Sequence, residues 1–267
     1  MKKERKIVSE SPWQSLKQHT QARIALGRCG CSIPTRELLE FKLAHAKAID
    51  AVQLPLDCQK QSNLIHKATG LETLHLFSAA TDRREYLQRP DLGRSLSVDS
   101  VSKLEKLAGD QTFDIALVVA DGLSSRAIEN NILPLLTEFV SQLKARNYSL
   151  APITVVEQGR VAVADQIAEI LKARMSIIFI GERPGLKSPD SMGIYLTYNP
   201  GSGTTDERRN CISNVRQNGL SYPLACSKLL YLVEESFRRK LSGVDLKDEQ
   251  IDFVQIETET KVFSSPS

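Results

Sequence analysis

Glu182 stands between Gly181 and Arg183 in the stretch Gly181-Glu-Arg-Pro-Gly185, just after an apolar run. A carboxylate there can accept a hydrogen bond from a ligand. Glycine lets a backbone come close, and Pro184 stiffens the turn. The plain alternative is an ion pair with Arg183, Arg160 or another surface cation. Glu157-Gln-Gly-Arg-Val161 has a similar character, with Gly159 standing alone after an earlier apolar run. Asp121-Gly122 closes a third run, where a helix N-cap or tight turn is the ordinary role. Cys211 follows Arg208-Arg209-Asn210, and an isolated cysteine is more often a small buried hydrophobe than a nucleophile. His19, His45, His66 and His75 all precede the α/β region, and no Ser/His/Asp set can be assembled by order and spacing. Cys29 and Cys31 are too close for a redox or zinc pair, and no second cysteine pair completes a metal site. No G-x-G-x-x-G follows a strand and no G-x-x-x-x-G-K-[ST] occurs. Gly201-Ser-Gly203-Thr-Thr205 superficially suggests phosphate binding, but no helix start follows and a plain loop is the simpler reading.

These residues need a scaffold that brings loops together. Residues 153–156 are β-branched and residues 176–180 are almost wholly apolar. Both read as strands buried on two faces, as in a parallel sheet. Val163, Ile167, Ile170 and Leu171 recur between them at helical spacing, giving an amphipathic crossover. Loops after the strands of such a unit share one sheet edge, where ligands of open α/β sheets bind. The loops at 157–161 and 181–185 are therefore expected to lie side by side and rim a crevice.

Residues 1–10 are polar and read as loose. Ser11 and Pro12 open a helix that carries Trp13, Leu16, Ile24 and Leu26 and stops at Gly27. Thr35 caps a second helix with a broad apolar face of Leu38, Leu39, Phe41, Leu43, Ala46 and Ile49. Asp57 opens a third, ending at Gly70. Strands are expected at 74–77, 115–120, 153–157, 176–180 and 193–198. Further helices run from Ser97 to near Gly109, from Ser124 or Ser125 to about Asn147, and from Pro223 to Gly243. Pro134 is expected to split the middle one, because an interior proline costs roughly 3 kcal/mol. Residues 80–94 and 199–210 read as polar connections. The order implies an α/β fold, a Rossmann-like doubly wound and mostly parallel sheet preceded by an N-terminal helical segment. The expected division is a helical segment over 1–70, the Rossmann-like domain over 71–243 and a polar tail over 244–267.

The apolar fraction of 41% and the charged fraction of 25% over 267 residues are ordinary for a globular protein. A formal charge of +3, with scattered Arg and Lys, gives nucleic-acid binding little support. No apolar run approaches the ~18 residues that span a bilayer. The basic start, MKKERKIVSESPW, lacks the apolar segment of a secretory signal. Five cysteines, an odd number, suggest free thiols in a reducing compartment. The residues describe a crevice-forming α/β domain without a complete enzyme site. That points to a cofactor- or partner-binding subunit whose reactive groups lie partly elsewhere.

Six segments in register carry a resemblance. They are LGRCGCSIPT (26–35), FKLAHAK (41–47) through Asp57, ADGLS (120–124), VVEQGRVAV (155–163), IGERPG (180–185) and CISN (211–214). Together they closely resemble the small (light) subunit of ethanolamine ammonia-lyase, from about residue 13 to 243. The resemblance implies an enzyme that uses adenosylcobalamin to convert ethanolamine to acetaldehyde and ammonia by a radical rearrangement. It implies a (β/α)₈-barrel large subunit that holds the substrate, with this chain covering the cofactor from the other side. It assigns cobalamin contacts to Val161 in QGRVAV, Glu182 in GERPG and Cys211 in CISN, and no catalytic residue or metal ligand to this chain. Val161 would pack against the macrocycle, Glu182 would accept a hydrogen bond from an amide or the nucleotide end, and Cys211 would add a backbone or weak thiol contact. The absence of D-x-H-x-x-G agrees with a cofactor that keeps its own base as lower ligand. The hard chemistry belongs to the corrinoid, and binding and orientation belong to the protein. The resemblance also implies a bacterial cytoplasmic setting inside an ethanolamine-utilisation microcompartment, to which Lys2, Lys3, Arg5 and Lys6 would contribute packaging or solubility. No membrane or nucleic-acid partner is implied. The alternatives are a non-catalytic scaffold or binding protein of such a compartment, and a nicotinamide-dependent oxidoreductase, which the missing glycine fingerprint disfavours.

Overall fold

Six runs of β-branched and apolar residues pair into one mixed sheet in the computed structural model, which describes residues 7–20, 22–201 and 203–248. The strands are β1 (Thr73–Phe77), β2 (Phe113–Ala120), β3 (Ile153–Glu157), β4 (Ala173–Gly181), β5 (Met192–Tyr198) and β6 (Arg209–Val215). They lie in the order β1-β3-β2-β4-β5-β6. The first four are parallel. β5 runs antiparallel to β4, and β6 antiparallel to β5. The α-helices are α1 (Thr35–Gln53), α2 (Cys58–Thr69), α3 (Arg83–Gln88), α4 (Val98–Ala108), α5 (Ser125–Ala145), α6 (Val163–Ile170) and α7 (Tyr222–Arg239).

β2 shows why its sequence lacks alternation. Ile115, Leu117 and Val119 enter one core with α2, α5 and α7. Ala116, Val118 and Ala120 enter the opposite core with α4 and α6. Each large aliphatic side chain so buried contributes about 1.5–3 kcal/mol. Helix starts follow the side-chain chemistry. Asp57 accepts from the Lys60 amide at 2.9 Å at the head of α2, and Ser124 accepts from the Ala127 amide at 3.3 Å at the head of α5. Among the described residues no helix is long and apolar enough to cross a membrane.

Several expectations are corrected. The helix expected over 12–27 is only a 3-10 turn at Gln14–Gln18. Ala25 and Gly27 have φ of 52° and 77°, which breaks any helix there, and the Ser9 and Arg28 backbones pair instead. Thr35 is the first helical residue of α1 rather than its cap. Pro134 does not split α5: Ile128, Ile132, Leu135, Leu136 and Phe139 are all fully buried on both sides of it. Their burial outweighs the proline penalty of roughly 3 kcal/mol. Residues 80–94 contain α3, capped by Asp82 on the Glu85 amide at 2.7 Å. Residues 199–210 end in the start of β6, an edge strand whose burial pattern carries no apolar alternation. Pro223 sits in the first turn of α7, and Lys240, with φ of 58°, ends it instead of Gly243. His75 lies on β1, within the sheet. Most of the expected polar tail, residues 249–267, and most of the expected loose start, residues 1–6, lie outside the described residues, as do Gln21 and Ser202.

β3 and β4 are not neighbours, because β2 runs between them. The loop after β2 bridges them, and it meets the end of β4 through glycines. Leu123 donates its amide to the Gly181 carbonyl at 2.9 Å. A Cβ on Gly181 would collide with the carbonyl oxygens of Ser124 and Asp121, and one on Gly122, whose φ is +57°, with the Gly181 carbonyl. Gly181→Ala is therefore expected to destabilise the chain by about 1–3 kcal/mol, read from the urea midpoint. Gly201→Ala, where a Cβ has nothing within 4 Å, is expected to change it little.

Candidate functional site

The loops after β1 to β4 gather at the carboxyl edge of the sheet, and two cavities open there. One, of about 460 Å³, is walled by Leu123, Arg160, Val161, Ile180, Glu182 and Tyr195, among others. The other, of about 450 Å³, adds Arg94, Ala162, Asp206, Arg209 and Cys211. They share Arg160, Val161 and Tyr195 as walls, so Val161 sits between Glu182 at one end and Cys211 at the other. The three residues expected from the sequence are thus brought to one trough.

Beneath it lies Asp121, 1% exposed. Its carboxylate takes Arg83 Nη1 at 3.2 Å and the Gly159 amide at 3.2 Å. The same Arg83 nitrogen donates to the Gly122 carbonyl at 2.8 Å and to Gln158 Oε1 at 3.3 Å. Asp121 is not the cap, since Ser124 caps α5, but it opens the tight turn expected there, its carbonyl accepting the Ser124 amide at 3.3 Å. Burial pushes its carboxyl up to about 6, and the Arg83 charge and the loop amides only partly offset this. Tyr86, fully buried on α3, donates its hydroxyl to the Gly159 carbonyl at 3.0 Å. The Arg160 guanidinium lies over the Tyr86 ring at 4.1 Å and donates to its carbonyl at 3.2 Å. These bonds hold the two residues that lead into Val161.

Glu182 does not pair with Arg183 or Arg160. Its Oε2 accepts from the Ser191 hydroxyl and, at 3.2 Å, from the Asn214 amide. Among the described residues its Oε1 accepts no hydrogen bond. Half of the carboxylate thus pins the loop to β5 and β6, and half remains to accept. Tyr195 stands opposite Cys211 in the β5–β6 register, with its hydroxyl placed to favour the ionised sulfur. Desolvation of the sulfur and the nearby Glu182 charge push the Cys211 thiol up, against the lowering effect of Tyr195. The group therefore stays a neutral thiol near pH 7 and is not an activated nucleophile. Arg209, at the start of β6, grips Asp165 of α6 with bonds of 2.8 and 2.7 Å. That bidentate pair fixes the strand bearing Cys211 against the helix that follows Val161. Thr204 Oγ1 donates to the Gly201 carbonyl at 2.8 Å.

Sequence reasoning missed Tyr195, Tyr86 and Arg83. Tyr195 carries a faint signal, a polar tip within the apolar run of β5. Tyr86 and Arg83 carry none, because their stretch reads as polar connection.

The family model of the ethanolamine ammonia-lyase light chain (EutC) matches residues 10–247. The chain is 56% identical over 243 residues to the ethanolamine ammonia-lyase small subunit of Pseudomonas aeruginosa (strain LESB58), covering 90% of this chain and 89% of that protein. It is 54% identical over 248 residues to the small subunit from Azotobacter vinelandii (strain DJ / ATCC BAA-1303), with 92% of each chain covered. With the small subunit from Pseudomonas fluorescens (strain Pf0-1) it shares 51% over 262 residues, covering 97% and 95%.

The Asp121 carboxyl protonates at about 6 in the folded chain and at about 3.9 when unfolded. Between these values the folded state binds more protons, so stability from this group falls as pH rises, by roughly 3 kcal/mol in all. Urea midpoints from about pH 4 to pH 7 are expected to show a decline through that window, and Asp121→Asn is expected to remove it.

Proposed function

This chain belongs to the ethanolamine ammonia-lyase light-chain family, and we propose that it binds adenosylcobalamin together with a large subunit and so supports conversion of ethanolamine to acetaldehyde and ammonia. The observation that carries this reading is the convergence of Val161, Glu182 and Cys211 on one trough at the carboxyl edge of the sheet. We read the unit over 71–243 as Rossmann-like, with α4 and α6 on one face of the sheet and α5 and α7 on the other, where α2 of the preceding segment joins them.

The trough fits a corrinoid. Such a ligand offers a broad apolar ring edged by amide groups, and the walls offer apolar Val161, Ile180 and Leu123 beside polar groups with spare capacity. Arg160 Nε is buried with no hydrogen-bond partner, and Oε1 of Glu182 is free to accept. The chemistry that the cofactor supplies when bound is homolysis of its cobalt–carbon bond. This chain's residues bind and orient. Val161 packs, Glu182 accepts from an amide, and the neutral Cys211 thiol makes a weak polar contact. None of the three exchanges a proton with substrate, which is reached through the large subunit.

α1 supports the need for a partner. Of its residues only Ala51 is buried, and Leu39, Phe41, Leu43 and Ile49 are 59, 41, 57 and 49% exposed. A helix with uncovered apolar residues lacks the packing that normally sustains one. The same reading places the enzyme in the bacterial cytoplasm, within an ethanolamine-utilisation microcompartment. The basic Lys2, Lys3, Arg5 and Lys6 lie outside the described residues.

Reconstitution tests the reading. The chain alone is expected to show no lyase activity, and activity is expected on addition of the large subunit and adenosylcobalamin. Turnover by the chain alone, or by the large subunit without it, would count against the proposal. In the assembled enzyme, Glu182→Ala is expected to weaken cobalamin binding by about 1.5–3 kcal/mol, followed in the corrinoid absorption spectrum, with a smaller loss of folding stability.

A further inference from the structure

On the α2 side of the sheet, Cys58, His75 and Glu157 each offer a ligand atom, and these atoms lie within 4.8 Å of one another. The sequence hides the set, because the three sit on separate elements. Cys58 is the first residue of α2, His75 lies in the middle of β1, and Glu157 ends β3. β1 and β3 are parallel, with His75 opposite Val155 and Phe77 opposite Glu157. With a side-chain period of two, His75 and Glu157 emerge on one face, and the head of α2 brings Cys58 onto it.

Two features are poorly explained by packing alone. His75 Nε2 is buried and has no hydrogen-bond partner. It stands 3.4 Å from Glu157 Oε2, near enough to interact but without hydrogen-bond geometry. A buried ring nitrogen left so is costly. The separation suits two atoms bound to a common ion. With zinc–nitrogen and zinc–oxygen bonds of about 2.0–2.2 Å, the edge of a tetrahedron is about 3.3–3.6 Å. The sulfur reaches its bond length of about 2.3 Å after a shift on the order of 1 Å. Cys58 is 2% exposed, and burial, with the Asp121, Glu157 and Asp57 charges, pushes its thiol well up, so it is a bound cation that would draw off the proton. The His75 and Glu157 side chains are 22% and 29% exposed, which leaves a fourth position open to water. A thiolate with an imidazole selects a borderline-soft ion over magnesium or calcium.

We propose that Cys58, His75 and Glu157 form a site for one divalent transition-metal ion, zinc by ligand type, that fastens α2 to the β1–β3 edge. On binding, the sulfur–metal bond forms as the thiol proton passes to solvent, and no electron changes hands. The proposal is independent of the cobalamin reading.

The test is a cobalt(II) titration of the enzyme reconstituted from the full chain and its large subunit, without cobalamin and stripped of metal. One equivalent per small chain is expected, with sulfur-to-cobalt charge-transfer absorption in the near ultraviolet that zinc abolishes. Cys58→Ser is expected to lose the band. His75→Gln, at a partly exposed strand position that leaves the core intact, is expected to weaken binding by an order of magnitude or more. No band under excess cobalt, an unchanged band in Cys58→Ser, or unchanged affinity in His75→Gln would overturn the proposal. If Cys58→Ser does not fold, the His75→Gln affinity decides alone.

Discussion

The buried ion pair between Asp121 and Arg83 is the constraint on which the carboxyl edge depends. A carboxylate 1% exposed is tolerated only where donors replace the water it has lost. Here the donors come from other elements. Arg83 belongs to α3, and the Gly159 amide belongs to the loop after β3. Because Arg83 also reaches the Val52 carbonyl at 2.7 Å, the end of α1 is drawn into the same knot. Removing one partner of such a pair typically costs 3–5 kcal/mol, so the loops are held together by the cost of separating charges out of water. That is an energetic reason for Val161 to be fixed in place although its own side chain makes only apolar contacts.

Two further contacts set the width of the trough. Glycine against glycine lets the loops after β2 and β4 approach backbone to backbone, closer than any side chain permits. The Asp165–Arg209 fork then fastens β6 to α6 on the far side. Between these anchors the walls are preorganised. A large, rigid ligand loses less free energy on binding when the protein need not be ordered around it. Glu182 combines both roles, with one oxygen spent on the scaffold and the other left unsatisfied.

The distribution of burial is uneven in a way that matches a subunit. Both faces of the central strands are saturated with aliphatic side chains, so the α/β unit has its own core. The region before it does not. Trp13 is 65% exposed and α1 leaves most of its apolar residues open, although its sequence carries a broad apolar face. The periodicity marked an apolar face, and among the described residues most of it stays open.

The sequence by itself determined the strands other than β6 and most of the helices, because burial on two faces leaves an unbroken apolar run and a cap leaves an Asp or Ser at a fixed offset. It also pointed to Val161, Glu182 and Cys211 as a set, through short segments that resemble one family. It failed where long-range contacts outweigh local preference. Pro134 stays inside α5 because burial on either side outweighs its penalty, and β6 exists because β5 offers it a free edge. Only the tertiary structure decided that β2 separates the two loops, that Asp121 lies beneath them rather than capping a helix, and that His75 meets Cys58 and Glu157. Each of these depends on residues distant in the chain meeting in a medium that punishes unpaired polar groups, and no local pattern records that.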